Sequence, residues 1–97
     1  MPKGYWIAHI DVEDAEAYKE YVKANAVPFA QFGARFLVRG GHQEVREGSA
    51  RNRTVVIEFK DYKTAVACYE SAAYQAAKEI RDHVSRGDLA IVEGYDP

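Results

Sequence analysis

The residues in this chain that could do chemistry together are scattered: His9, Glu58, several arginines and a set of tyrosines. His9 is the strongest single acid–base candidate, because an imidazole titrates near neutrality. Glu58 is the second, and either would serve as a general base that takes a proton from a substrate. Arg35 and Arg39 are candidates for holding a carboxylate through the planar fork of a guanidinium. Tyr21, Tyr69 and Tyr74 fall where helix faces are expected and could wall a pocket for a flat ligand, with their hydroxyls orienting it. Arg81, two turns beyond Tyr74, could reach the same cavity. Each also has a plainer reading. The charged residues could be ion pairs at a sheet rim or dimer interface, the tyrosines core, His9 hydrogen-bonded scaffold, and Arg81 solvated.

Other chemistries find no support in the spacing. His9, His42 and His83 are far apart, and nothing resembles His-Glu-x-x-His or Cys-x-x-Cys, so neither a metal nor a cofactor is expected. Gly40-Gly41 follows a strand pattern without opening a helix and lacks the Lys-Ser/Thr of a phosphate loop, which makes it a bulge or bend. Cys68 has no adjacent His or Lys to activate it and reads as a small buried residue.

The elements that must position these residues follow from periodicity. Arg-Thr-Val-Val-Ile-Glu-Phe, from Arg53 to Phe59, is the strongest strand signal and reads as a central strand. Residues 4–12 alternate, with Tyr5, Ile7 and His9 on one face and Trp6, Ala8 and Ile10 on the other. Asp14 then caps a helix whose stripe is Tyr18, Tyr21, Val22 and Asn25. Pro28 should interrupt it and open a further turn that Gly33 ends. Residues 34–39 form a second strand. Residues 42–47 are expected to continue it as an exposed ribbon beyond the Gly40-Gly41 bulge, and the short tip at 48–52 makes a hairpin with the Arg53 strand. Asp61 caps the second helix and Ser71 a third segment out of phase with it. Gly87 ends the helical run, and residues 89–95 form the last strand.

The order is β-α-β-β-α-β: a single α+β domain over residues 1–97, a ferredoxin-like βαββαβ sandwich with a four-stranded antiparallel sheet. Alternation places His9, Arg35, Arg39, Glu58 and Glu93 in parities that would converge on one sheet face if the register aligned them. Helices can cover only one face, while all four strands carry apolar residues on the other. A homodimer through that uncovered face is therefore expected.

Composition narrows the partners. Acidic and basic residues are interspersed at a net charge of −2, with no footprint for nucleic acid and no segment long enough for a membrane span. One cysteine and no recognisable signal peptide make the cytoplasm the expected compartment.

Several of these stretches also carry a family likeness: Tyr18 with Tyr21, Gly33-Ala34-Arg35-Phe36-Leu37-Val38-Arg39-Gly40-Gly41, Glu47-Gly48, Val56-Ile57-Glu58-Phe59, Ser71-Ala72-Ala73-Tyr74-Gln75, Arg81 and Glu93-Gly94. Through them the chain resembles, over nearly its whole length, the family named domain of unknown function 1330 in the dimeric α/β-barrel superfamily. It departs from the family's pattern in having Ala34 where a second glycine is usual and Ala72-Ala73 where Pro-Glu is frequent. The resemblance implies a dimeric α/β barrel with a small pocket in each subunit, and no particular activity. Three readings stand: a protein that binds a small aromatic or carboxylate-bearing metabolite, a cofactor-independent isomerase or monooxygenase using His9 or Glu58, or a ligand-free structural or regulatory dimer.

Overall fold

In the computed structural model, which describes residues 2–96, the elements run β1 (Gly4–Val12), α1 (Ala15–Gln31), β2 (Arg35–Arg39), β3 (Arg53–Phe59), α2 (Tyr62–Glu70), α3 (Ala72–Val84) and β4 (Ser85–Glu93). The strands lie in the order β2-β3-β1-β4, with every neighbouring pair antiparallel. This is the ferredoxin-like α+β arrangement that the element order predicts, with β3 inside the sheet.

Local chemistry sets the helix boundaries. Asp14 accepts a hydrogen bond from the Ala17 amide at 3.1 Å, and Asp61 one from the Thr64 amide at 2.7 Å, each satisfying an orphan donor of a first turn. Ser71 acts in both directions. Its hydroxyl donates to the Cys68 carbonyl at 2.7 Å, closing α2, and accepts from the Tyr74 amide at 3.2 Å, opening α3.

All three helices pack on one face of the sheet. β1 contributes Trp6, Ala8 and Ile10 to that side and β3 contributes Val55, Ile57 and Phe59, every one buried. Trp6 is the hub. The rings of Tyr74 and Phe29 meet it edge-on with centroids 4.8 and 5.3 Å away, and its indole N–H donates to the Ala65 carbonyl at 2.9 Å. Each edge-to-face pair adds about 1 kcal/mol to the area it buries, and the N–H bond leaves the indole with no unpaired polar atom.

Four local expectations are corrected. Helix α1 is continuous through Pro28: the proline ring is buried and the following Phe29 packs on Trp6, so core packing offsets the missing backbone bond. Residues 40–52 form no ribbon or tight hairpin but an exposed connection. The bulge lies upstream of Gly40-Gly41, where the register against β3 slips between Phe36 and Val38. Strand β4 begins at Ser85, directly after α3, because β1 is long enough to pair with it as far as Val12↔Ser85. Gly87 therefore lies within the strand and does not terminate the helix. A Cβ there would stand 3.0 Å from the His9 carbonyl, so the glycine permits a close strand approach.

Candidate functional site

Pairing fixes which face each candidate serves. Tyr5 pairs with Glu58 and with Val92, and His9 with Thr54 and with Asp88, so His9 and Glu58 project from the face that carries no helix. Arg35, opposite Glu58, joins them. Arg39 does not: the extra residue at Leu37 reverses parity, sets Arg39 opposite Val55 and turns it to the helix side. Glu93, opposite Gly4, also has helix-side parity. The single convergent face expected from strict alternation is therefore split in two.

On the helix side, α1 and α3 stand off the sheet far enough to leave a cleft. It is lined by Trp6, Phe29, Phe36, Val55, Ile57 and Leu89 on its apolar walls, and by Tyr18, Tyr21, Asn25, Arg39, Arg53 and Arg81 as its polar groups. Its empty volume, counted out to the mouth, is ≈ 450 Å³, of which ≈ 30 Å³ can hold the centre of a water molecule. The cleft is narrow in this state.

Its electrostatics are one-sided. Three guanidiniums border it, and among the described residues no carboxylate lines it. Arg81 has an ion-pair partner outside, Asp82, at a long 3.5 Å. Arg39 lies over the Phe36 ring with its guanidinium carbon 4.0 Å from the centroid. Arg53 Nε is buried and has no hydrogen-bond partner. Gly40 makes room for that side chain: it has φ +68, and a Cβ on it would overlap the Arg53 guanidinium. Burial raises the Tyr18 hydroxyl pKa above its ordinary value and the Tyr21 hydroxyl adds to the shift, while Arg53 and Arg81 nearby work against it.

Behind the cleft runs a buried chain of polar atoms. Arg81 Nη1 donates to the Tyr74 hydroxyl at 3.0 Å, and the Tyr74 and Tyr21 hydroxyls are 2.8 Å apart. Burial, foremost, drives the Tyr74 pKa well above that of a free phenol.

Of the residues singled out in the sequence, Tyr21, Arg39 and Arg81 border the cleft. Tyr74 supports it from behind, and Tyr69 packs on Trp6 and Tyr74 with centroids 5.8 and 5.5 Å away. Arg35, His9 and Glu58 lie on the opposite side of the sheet. There His9 Nδ1 is 3.2 Å from the Thr54 hydroxyl, and His9 borders a shallow groove with Asp11, Ser49, Ala50, Arg51 and Asp88. Arg51 bridges both acids of that groove, with Nη1 2.9 Å from Asp11 and Nε 3.1 Å from Asp88.

Sequence reasoning missed Arg53, Asn25 and Tyr18, the last read only as part of the helix stripe. The signal for Arg53 is its shared parity with Val55 and Ile57, which places it under the helices. For Asn25 it is a polar side chain in the buried stripe of α1.

A ferredoxin-like sheet with an arginine-rich aromatic cleft beneath its helices defines the class. The chain belongs to the family described as domain of unknown function (DUF1330), whose model matches residues 3–95. No curated protein is matched by the sequence. Among solved structures, the chain is similar to a protein of unknown function from Rhodopseudomonas palustris, at 14% identity and a TM-score of 0.76, covering 99% of this chain and 85% of that one. It is similar also to a dimeric ferredoxin-like protein of unknown function from Thermobifida fusca, at 13% identity and a TM-score of 0.63, covering 95% and 91%. A third is SnoaB, a cofactor-independent oxygenase from Streptomyces nogalater, at 9% identity and a TM-score of 0.66, covering 100% and 97%. At such identities the likeness is one of fold.

Proposed function

We propose that the protein binds a small aromatic metabolite bearing a carboxylate, one molecule per subunit, in the cleft between the sheet and helices α1 and α3. Arg53 carries this reading: its Nε is buried in the cleft without an acceptor, beside two further guanidiniums. A buried donor left unpaired costs about 1–3 kcal/mol, and a ligand carboxylate accepting from Nε recovers it. The aromatic walls supply the area for a ring. A ring-sized ligand has to part the narrow walls, and the exposed Arg39, leaving its place over the Phe36 ring, is the side chain that makes way in this reading. Two copies pack through the helix-free face in this reading, and the compartment is the cytoplasm, as composition suggests.

The test is calorimetric titration of hydrocinnamate and its neutral amide. The wild type is expected to prefer the acid by at least about tenfold, a charge-assisted bond being worth about 1.5–3 kcal/mol. Arg53→Met should erase the preference without lowering the melting temperature. Equal binding of acid and amide, or no binding of either at millimolar concentration, would overturn the proposal.

A second reading is a cofactor-independent enzyme of isomerase or monooxygenase type with His9 or Glu58 as general base. Its support is the fold shared with SnoaB and the groove beside His9. Turnover lost in His9→Ala with the fold intact favours it, and turnover unchanged both there and in Glu58→Gln removes the acid–base role. A ligand-free structural or regulatory dimer is what remains if neither ligand nor turnover is found.

A further inference from the structure

The inner end of the cleft contains a hydrogen-bond chain whose direction is fixed by what each group can donate, and this inference rests on the carboxylate-binding reading above. Tyr74 is 0% exposed. Its hydroxyl has two polar neighbours among the described residues: Arg81 Nη1 at 3.0 Å and the Tyr21 hydroxyl at 2.8 Å. A guanidinium donates and never accepts, so the Tyr74 oxygen accepts from Arg81. The Tyr74 proton then needs an acceptor of its own, because a buried donor without one is costly. The Tyr21 oxygen is the acceptor within reach.

Donation therefore runs from Arg81 to Tyr74 to Tyr21. The Tyr21 oxygen is occupied by the incoming bond, and its own proton is not consumed within the pair. Tyr21 lines the cleft, with the Arg81 guanidinium carbon 5.7 Å from its ring centroid. A cation at the far end polarises each successive O–H and makes the last one a better donor.

We propose that Tyr21 donates its hydroxyl proton into the cleft to a second oxygen of the ligand, so that the ligand is an aromatic carboxylate carrying a keto oxygen. A keto oxygen fits because it only accepts, and Tyr21, Arg39, Arg53 and Arg81 all offer donors here. Tyr74 is a positioning residue in this arrangement, setting which way Tyr21 points its proton.

The experiment compares two acid–ketone pairs by calorimetric titration: hydrocinnamate with phenylpyruvate, and phenylbutyrate with benzoylpropionate, so that the keto group is sampled at two positions. The wild type should prefer the ketone of at least one pair by roughly three- to tenfold, the worth of one neutral hydrogen bond. Tyr21→Phe should bring that ratio to one, and Tyr74→Phe should lower it part of the way while Tyr21 keeps its proton. If the wild type binds the parent acids with no ketone preference, the Tyr21 assignment falls and the carboxylate reading stands. A preference that survives Tyr21→Phe also ends the assignment, and failure to bind any of the four acids ends both. The wild-type comparison needs no substitution, so the absence of a ketone preference overturns the assignment even if a variant does not fold.

Discussion

A guanidinium held under a helix layer needs space as well as an acceptor, and Gly40 supplies the space for Arg53. An added Cβ would meet the far end of a flexible side chain, so Gly40→Ala should move the guanidinium and leave the sheet intact. The positive φ adds a backbone penalty of about 1–2 kcal/mol for an L side chain. Gly48, with φ +70 and nothing within reach of a Cβ, provides the control. Both alanine variants are expected to lose similar stability in urea unfolding, but Gly40→Ala alone should lose affinity for hydrocinnamate. Equal affinity in the two would show that Gly40 does not position Arg53. At this scale the sequence was legible where the decisive contact is local. Asp14, Asp61 and Ser71 cap the helices that their types and spacing indicate, each through an amide three residues on. It was not legible for the orphan nitrogen of Arg53, because parity places the residue under the helices but gives no sign of which acceptors stand within its reach.

Among the elements, the connection from 40 to 52 has no regular structure, yet it is tied to the sheet. Arg51 reaches Asp11 and Asp88, the Asn52 amide donates to Asp11 at 2.9 Å, and the Gln43 side chain donates to the Arg51 carbonyl at 2.9 Å. The Asn52 amide, foremost, holds the Asp11 carboxyl below its ordinary 3.8; burial opposes this and Arg51 adds to it. A carboxyl with a depressed folded-state pKa contributes stability that is fully present above pH 3.8 and disappears as pH falls through the lowered value. The Asn52 amide resonance should therefore follow the Asp11 carboxyl in acid with a midpoint below pH 3.8. In Asp11→Asn it should sit at a different position throughout. A wild-type acid midpoint at or above pH 3.8, or a resonance unaffected by Asp11→Asn, would show that this tie does not form. The tie was invisible in sequence because Arg51 and its two acids are brought together by strand pairing across long separations. The bulge in β2 was invisible for the same reason, since Leu37 carries no local mark of a register slip decided by β3.

For the molecule as a whole, the fold follows from element order and the surplus of apolar strand residues, both of which are plain in the sequence. The Cα atoms span 38 × 36 × 16 Å, a thin slab with helices on one side. The other side presents Tyr5, Ile7, Val38, Val56, Ala90 and Val92 around His9, Arg35 and Glu58, with Val38 and Val92 exposed. Which side holds the cleft was not decidable from alternation, because both sides of β1 carry bulky groups. The expected dimer gives a direct test. Sedimentation at micromolar concentration should show two subunits for the wild type and one for Val56→Lys, which sets a charge in the middle of the apolar field opposite Ile7. A wild type that sediments as a single subunit would remove the dimer while leaving the cleft, on the far side of the sheet, untouched. The extra residue in β2 has a further consequence for how such a chain can diverge. Because it turns Arg35 and Arg39 to opposite sides, the proposed assembly face and the proposed ligand cleft draw on different positions of one short strand, so each could be retuned without disturbing the other.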